Sequence, residues 1–129
     1  PSGEEVFVRE RLAEVPLFQM GTGFTWDTQD RDSDIAAARR TWQQAKDMLS
    51  DASYDLVVLD ELTYMLAFDY LPEDEVISAL TGRPESQSVV VTGRGGGQAL
   101  REAMDTVSEV KEIKHAYRAG IRARQGVDY

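Results

Sequence analysis

Two adjacent acidic residues follow a short apolar run. Asp60 and Glu61 come directly after Leu56–Leu59, a continuous β-prone segment. Acids at the carboxyl end of a buried strand, as in a Walker B element, can hold Mg²⁺ directly or through water beside a nucleotide phosphate. The same acids could instead simply end the strand and favour the amino end of the next helix through its dipole. Both interpretations stay open on this pattern alone.

A glycine-rich loop, residues 93–97, lies between a second β-prone run and a segment with helical periodicity. Backbone N–H groups in such a loop can form an anion-binding nest, with Arg94 as a charged partner. Gly93, Arg94 and Gly95 are therefore candidates for phosphate binding, and a flexible turn is the alternative. The loop is not a Walker A motif, because the chain contains no Gly-Lys-Ser or Gly-Lys-Thr to bring a lysine to the phosphates.

Two large aromatic residues stand in a loop rich in glycine and threonine, which reads Thr22, Gly23, Phe24, Thr25, Trp26. In an extended segment, residues two positions apart point to the same side. Phe24 and Trp26 would then form one aromatic surface suited to a flat ligand. They could equally fold back onto the core or fill a subunit interface.

Residue counts exclude several kinds of chemistry. The chain has no Cys, which rules out disulfides, cysteine-ligated metals and a cysteine nucleophile, and favours a cytoplasmic location. His115 is the single histidine, so a histidine-rich metal site cannot form within one chain. The net charge of −9 disfavours nucleic acid and anionic membranes as partners. No apolar run approaches the roughly 18 residues that a spanning helix needs.

The elements that must position these residues alternate between helix and strand. Apolar residues at three- and four-residue spacings predict an amphipathic helix over 32–49. Runs that are apolar on both faces are typical of parallel sheets covered by helices, so we predict an α/β fold with a mainly parallel sheet. The further predicted helices are 4–14, 62–70, 72–80, 98–104 and 117–123, and the predicted strands are 56–59, 88–92, 106–113 and a strand start or sheet edge at 15–20.

This order of elements brings the candidate residues to one edge of the sheet. Open parallel sheets bind ligands beyond the carboxyl ends of their strands. The strand at 56–59 ends in Asp60 and Glu61, and the strand at 88–92 ends in the glycine-rich loop. With 129 residues and 42% hydrophobic residues, the chain is expected to be one domain, 1–129.

Several short motifs occur in the order and at the spacing found in one protein family. They are Gly21-Thr22-Gly23-Phe24-Thr25-Trp26, Val57-Val58-Leu59-Asp60-Glu61-Leu62-Thr63-Tyr64, Tyr70-Leu71-Pro72, Glu75-Val76-Ile77, Arg83-Pro84, Val91-Thr92-Gly93-Arg94-Gly95 and Gly126-Val127-Asp128-Tyr129. Each motif alone is weak. Together, from about Val15 to Tyr129, they resemble the ATP:corrinoid adenosyltransferases with a P-loop fold, also called cob(I)yrinic acid a,c-diamide adenosyltransferases.

The resemblance implies a RecA-like P-loop fold, a homodimer, and transfer of the 5′-deoxyadenosyl group of ATP to the Co(I) of a corrinoid, with release of triphosphate. It implies that the loop 22–26, above all Phe24 and Trp26, faces the corrinoid, and that Asp60 and Glu61 serve Mg²⁺. A protein reductant such as a flavodoxin would supply the electron. No acid, base or nucleophile of the protein is needed, because Co(I) is itself a strong nucleophile and catalysis is mainly alignment and charge neutralisation.

The sequence departs from the family pattern at its start. The family's amino-terminal strand, its glycine-rich P-loop with Lys-Thr and the helix that follows have no counterpart here. We expect Pro1 to fall inside the family's domain, and these 129 residues alone to bind MgATP poorly. The alternatives are a non-catalytic module that binds a nucleotide or a corrinoid, and a dimerisation fragment with Phe24, Trp26 and Met65 at its interface.

Overall fold

A computed structural model of the chain describes residues 3–18, 30–114 and 120. The predicted helix over 117–123 and the loop with Thr22, Gly23, Phe24, Thr25 and Trp26 lie outside these described residues. The chain divides into two compact units, one formed by Pro1–Leu17 with Thr106–Tyr129 and the other by Phe18–Asp105. Each unit is described by itself.

The first unit contains helix α1, Gly3–Arg11. Acidic residues occupy its first turn and basic residues its last turn, which suits the helix dipole. Arg9 Nε and Glu5 Oε1 are 2.9 Å apart, one turn from each other. The helix ends three residues before the predicted end at residue 14, and it has no buried residue.

Two predicted strand segments are wrong where the structure describes them. Residues 106–114 form no strand, and neither do residues 15–18 of the predicted run 15–20. The apolar residues of the later segment, Val107, Val110 and Ile113, stand three positions apart, and Val110 and Ile113 are 97% and 94% exposed. Residues at this spacing do not all share one face of a strand, so no sheet could bury them together.

The second unit contains the long helix α2, Arg31–Leu49. The Asp30 carboxylate caps it by accepting a hydrogen bond from the Ser33 N–H at 3.1 Å. The buried residues of α2 repeat every three or four positions, as the amphipathic pattern predicts, and they are Ala38, Trp42, Ala45 and Leu49. The predicted helix is therefore confirmed.

Strands β1, Leu56–Leu59, and β2, Ser88–Val91, pair in parallel. Both strands and their parallel arrangement are confirmed, with Val57 opposite Val89 and Leu59 opposite Val91. The expectation that both faces are buried is wrong for this pair. Val57 is 2% exposed, whereas Leu56 and Val58 are 54% and 56% exposed. The core of this unit covers only one face of the two strands.

Among the described residues of the second unit, three shorter helices follow α2, and they confirm the helical segments predicted there to within a few residues. They are α3, Leu62–Ala67, α4, Glu73–Thr81, and α5, Gln98–Ala103. Met65 on α3 is 1% exposed and belongs to the core, so it is not free to serve the interface of a dimerisation fragment. No helix in the described ranges is both long and apolar enough to cross a membrane.

Gln87 fixes the start of β2 against the segment that leads into β1. Its side chain is 2% exposed, and its Nε2 lies 3.1–3.3 Å from the carbonyl oxygens of Met48, Asp51 and Tyr54. A buried amide that meets several backbone carbonyls satisfies groups that would otherwise lose their hydrogen bonds on folding. The hydrogen bonds of Gln87 therefore hold the starts of the two strands together. Because both strands have four residues and pair in parallel, their carboxyl ends also lie side by side.

Candidate functional site

The carboxyl ends of β1 and β2 open onto a cavity of about 330 Å³. The residues that line it are Asp60, Glu61, Tyr64, Thr92, Gly93 and Arg94. The structure thus brings together four of the predicted site residues, and adds Tyr64 and Thr92, which stand in the family motifs but were not predicted to belong to the site. Gly95, a third residue of the predicted phosphate loop, does not line this cavity.

A threonine links the two strand ends. The Thr92 N–H donates to the Leu59 carbonyl at 3.2 Å, which extends the strand pairing by one residue. The Thr92 hydroxyl donates to Asp60 Oδ1 at 2.6 Å, and the Glu61 N–H donates to the same hydroxyl oxygen at 2.9 Å. One hydroxyl therefore joins both acids to the neighbouring strand.

Glu61 adopts a left-handed backbone conformation, with φ of 59°, and stands at the N-cap position of α3. This conformation costs a non-glycine residue about 1–2 kcal/mol. The Glu61 side chain makes no capping hydrogen bond to α3. Its carboxylate therefore forms no hydrogen bond with the helix, although it stands where the helix dipole favours an acid, and Glu61 also lines the cavity.

The glycine loop passes unusually close to α3. A Cβ at Gly93 would overlap the side chain of Thr63, so any larger residue at this position would force Thr63 or the loop to move. Gly95 has nothing within 4 Å of such a Cβ, and its requirement is instead a φ of +68°. The two glycines are needed for different reasons, one for close approach and the other for conformation.

The amino end of α5 already has an anionic partner. Glu73 on α4 accepts a hydrogen bond from the Leu100 N–H at 3.0 Å, while Gly97, the N-cap residue, offers no side chain. That N–H is therefore not offered to an external anion. Phosphate binding by the loop would instead depend on Arg94, which is exposed at the cavity, and on the backbone before α5.

Asp60 and Glu61 are a donor set of two carboxylates. The described part of the chain holds no cluster of three or more His, Cys, Asp or Glu that could bind a metal. Mg²⁺ typically keeps several waters and binds through one or two carboxylates plus substrate phosphates, so two acids beside Arg94 fit a magnesium–phosphate site. They do not fit an all-protein metal cage.

The sequence matches the family described as ATP:corrinoid adenosyltransferase BtuR/CobO/CobP over residues 1–129. The chain belongs to this family, which confirms the resemblance drawn from its motifs. The fold agrees at a coarser level, as an α/β unit in which helices flank two parallel strands.

Three relatives show how much of the family's length is covered. The chain is 53% identical to the corrinoid adenosyltransferase of Escherichia coli strain K12 and 50% identical to the corrinoid adenosyltransferase CobA of Salmonella typhimurium, in both cases over all of its 129 residues. It is 48% identical over 128 residues to the corrinoid adenosyltransferase of Pseudomonas aeruginosa, which is 99% of the chain and 63% of that relative. The chain spans 65% of the length of the first two relatives.

Proposed function

We propose that the protein transfers the 5′-deoxyadenosyl group of ATP to the Co(I) of a corrinoid, in adenosylcobalamin biosynthesis or salvage. The observation that carries the proposal is the family match over the whole chain. The electron pair of Co(I) forms the bond to C5′, the C5′–O bond breaks, and inorganic triphosphate leaves. This chemistry needs alignment of two substrates and neutralisation of the leaving group.

In this proposal, the cavity at the ends of β1 and β2 serves the triphosphate. Asp60 and Glu61 would hold Mg²⁺, which when bound neutralises and orients the phosphate oxygens. Arg94 and the backbone around Gly93 and Gly95 would contact the phosphates from the other side. The support is that Asp60, Glu61 and Arg94 line one cavity.

The corrinoid is assigned to the loop with Thr22, Gly23, Phe24, Thr25 and Trp26. Phe24 and Trp26 would press on the lower face of the corrin ring and keep axial donors away from cobalt. An axial donor raises the orbital that must accept the electron, so its exclusion makes reduction to Co(I) easier. The family pattern of Gly21–Trp26 supports this assignment.

The wider setting is proposed on family membership. We infer that residues 1–129 belong to a single RecA-like P-loop domain that works as a cytoplasmic homodimer. A protein reductant such as a flavodoxin would deliver the electron to the bound corrinoid. No protein residue would act as a catalytic acid, base or nucleophile, and no nucleic acid or membrane would take part.

Calorimetric titration of the naturally occurring protein with MgATP and with a corrinoid tests the proposal. An adenosyltransferase binds both ligands and gives an adenosylated corrinoid once the cobalt is reduced. A binding module would bind one ligand without reaction, and a dimerisation fragment would bind neither. Either of those results would overturn the proposed function.

A further inference from the structure

We infer that Thr92 is a positioning residue that holds Asp60 and Glu61 in the arrangement required for magnesium and phosphate. The inference rests on the proposed function, because it assigns Thr92 a part in the same site. Thr92 acts through the two acids, from the neighbouring strand.

The hydrogen bonds define the direction of the Thr92 hydroxyl. The hydroxyl oxygen accepts a hydrogen bond from the Glu61 N–H at 2.9 Å. The hydroxyl group in turn donates a hydrogen bond to Asp60 Oδ1 at 2.6 Å. Hydroxyl-to-carboxylate bonds of this length are charge-assisted and stronger than neutral ones. The bond uses one of the carboxylate's acceptor sites and leaves the others for a metal ion or its water.

The second half of the bridge acts on Glu61. Its left-handed backbone turns the chain from β1 into α3, and the hydrogen bond from its N–H to Thr92 holds that conformation in place. Loss of the hydroxyl would release Asp60 Oδ1 and leave the Glu61 N–H without this acceptor. A single side chain therefore holds the carboxylate of Asp60 and the backbone that carries the carboxylate of Glu61.

A valine at position 92 tests the hydroxyl at nearly constant shape. The parent is the naturally occurring protein. Its affinity for Mn²⁺ in the presence of ATP, measured from the signal of free Mn²⁺ by electron paramagnetic resonance with ATP alone as the blank, should fall by about 10- to 100-fold in Thr92→Val, as changes to the partners of metal ligands do. Thr92→Ser keeps the hydroxyl and should stay close to the parent. The Mg²⁺ concentration for half-maximal transfer should rise in Thr92→Val in parallel.

Thr41→Val is the matched control. The Thr41 hydroxyl donates to the Ala37 carbonyl within α2, so the same atoms are exchanged and a hydrogen bond is lost away from the cavity. Thr41→Val should leave Mn²⁺ affinity unchanged. If Thr92→Val also leaves Mn²⁺ affinity unchanged, the positioning role is overturned, whatever its effect on stability.

Measurements on the parent distinguish a failure of the proposed function from a failure of the inference. If the parent binds Mn²⁺ with ATP but transfers no adenosyl group, the proposed function fails, and the effect of Thr92→Val on Mn²⁺ affinity still decides the inference. If the parent does not bind Mn²⁺ with ATP, both fail.

If Thr92→Val does not fold, hydrogen exchange in the parent tests the inference instead. The Glu61 amide should be protected from exchange, and MgATP should increase that protection. Rapid exchange of this amide with and without MgATP overturns the inference.

Discussion

At the scale of single residues, Glu61 is the acid on which the magnesium assignment depends most directly. Glu61→Gln keeps the size of the side chain and removes one charge from the proposed metal site. We expect adenosyl transfer by the naturally occurring protein to slow by about tenfold or more, since each loss of about 1.4 kcal/mol in transition-state stabilisation lowers the rate by a factor of ten. Rates measured against Mg²⁺ concentration give the effect.

Glu85→Gln is the matched control for that change, because Glu85 is exposed in the turn between α4 and β2 and does not line the cavity. It should leave the rate and its Mg²⁺ dependence unchanged. If Glu61→Gln also leaves both unchanged, Glu61 has no part in metal binding and is only the residue at which β1 gives way to α3.

Gly93 provides a prediction about packing beneath the cavity. Gly93→Ala places a Cβ against Thr63 Oγ1, and overpacking of this kind costs about 1–3 kcal/mol of unfolding free energy. In a Thr63→Ala background that cost should shrink, because Oγ1 and Cγ2 are gone. Urea denaturation of the four proteins in this cycle measures the coupling.

Gly95→Ala is the control for the cycle. Its cost arises from a positive φ, so it should be the same with Thr63 or Ala at position 63. Strict additivity of Gly93→Ala and Thr63→Ala would contradict the close approach of the loop to α3.

The sequence predicts part of this site for a definite reason. Asp60 and Arg94 follow two β-prone runs, and the carboxyl ends of parallel strands meet at one sheet edge. Thr92 was missed because a threonine at the end of such a run is an ordinary strand residue. Only the register, with Leu59 opposite Val91, places Thr92 opposite Asp60. That register depends on pairing between distant segments, which periodicity within one segment cannot supply.

At the scale of elements, sequence patterns succeeded where each helix or strand packs on the core of the second unit. The spacing in α2 fixes which residues are buried, because a helix has one period and one apolar face. In the segment 106–113 the apolar residues stand three positions apart, Val110 and Ile113 are exposed, and no strand forms. A strand needs apolar residues that share one buried face and a neighbour for its backbone hydrogen bonds.

Helices α2 and α4 are joined by a charged contact that makes a pH prediction. Lys46 Nζ lies 2.9 Å from Glu75 Oε1, and Trp42 Nε1 donates to the same oxygen at 3.3 Å. The hydrogen bond from Lys46, and then the one from Trp42, lower the pKa of Glu75 below its ordinary value of 4.5. A carboxyl whose pKa is lower in the folded state adds stability above its unfolded pKa and loses it as the pH falls through the folded value.

Glu75→Gln should therefore be less stable than the parent at pH 7, by less than about 1 kcal/mol because the pair is partly exposed. The difference should disappear as the pH falls below 4.5 and through the folded-state pKa. Denaturation of both proteins between neutral and acidic pH measures it. In a Lys46→Met background most of the pH-dependent difference should be lost, and a difference that persists at low pH would contradict the role assigned to the charge.

At the scale of the whole molecule, the net charge of −9 opposes the approach of ATP, which is itself an anion. In the proposed site, the positive charges of Arg94 and of Mg²⁺, held between the carboxylates and the triphosphate, offset this repulsion. The corrinoid, in contrast, would be recognised through aromatic contacts at Phe24 and Trp26. The two substrates are thus assigned to surfaces of different chemistry, which the reaction must bring into line.

A single-turnover reaction of the naturally occurring protein with MgATP and chemically prereduced Co(I) corrinoid tests the central claim most directly. The corrinoid spectrum reports the cobalt–carbon bond, and ion-exchange chromatography separates the phosphate products. The account predicts one triphosphate released for each corrinoid adenosylated, with no ADP. Cleavage of ATP to ADP and phosphate, or a bound corrinoid that gains no cobalt–carbon bond, would contradict it.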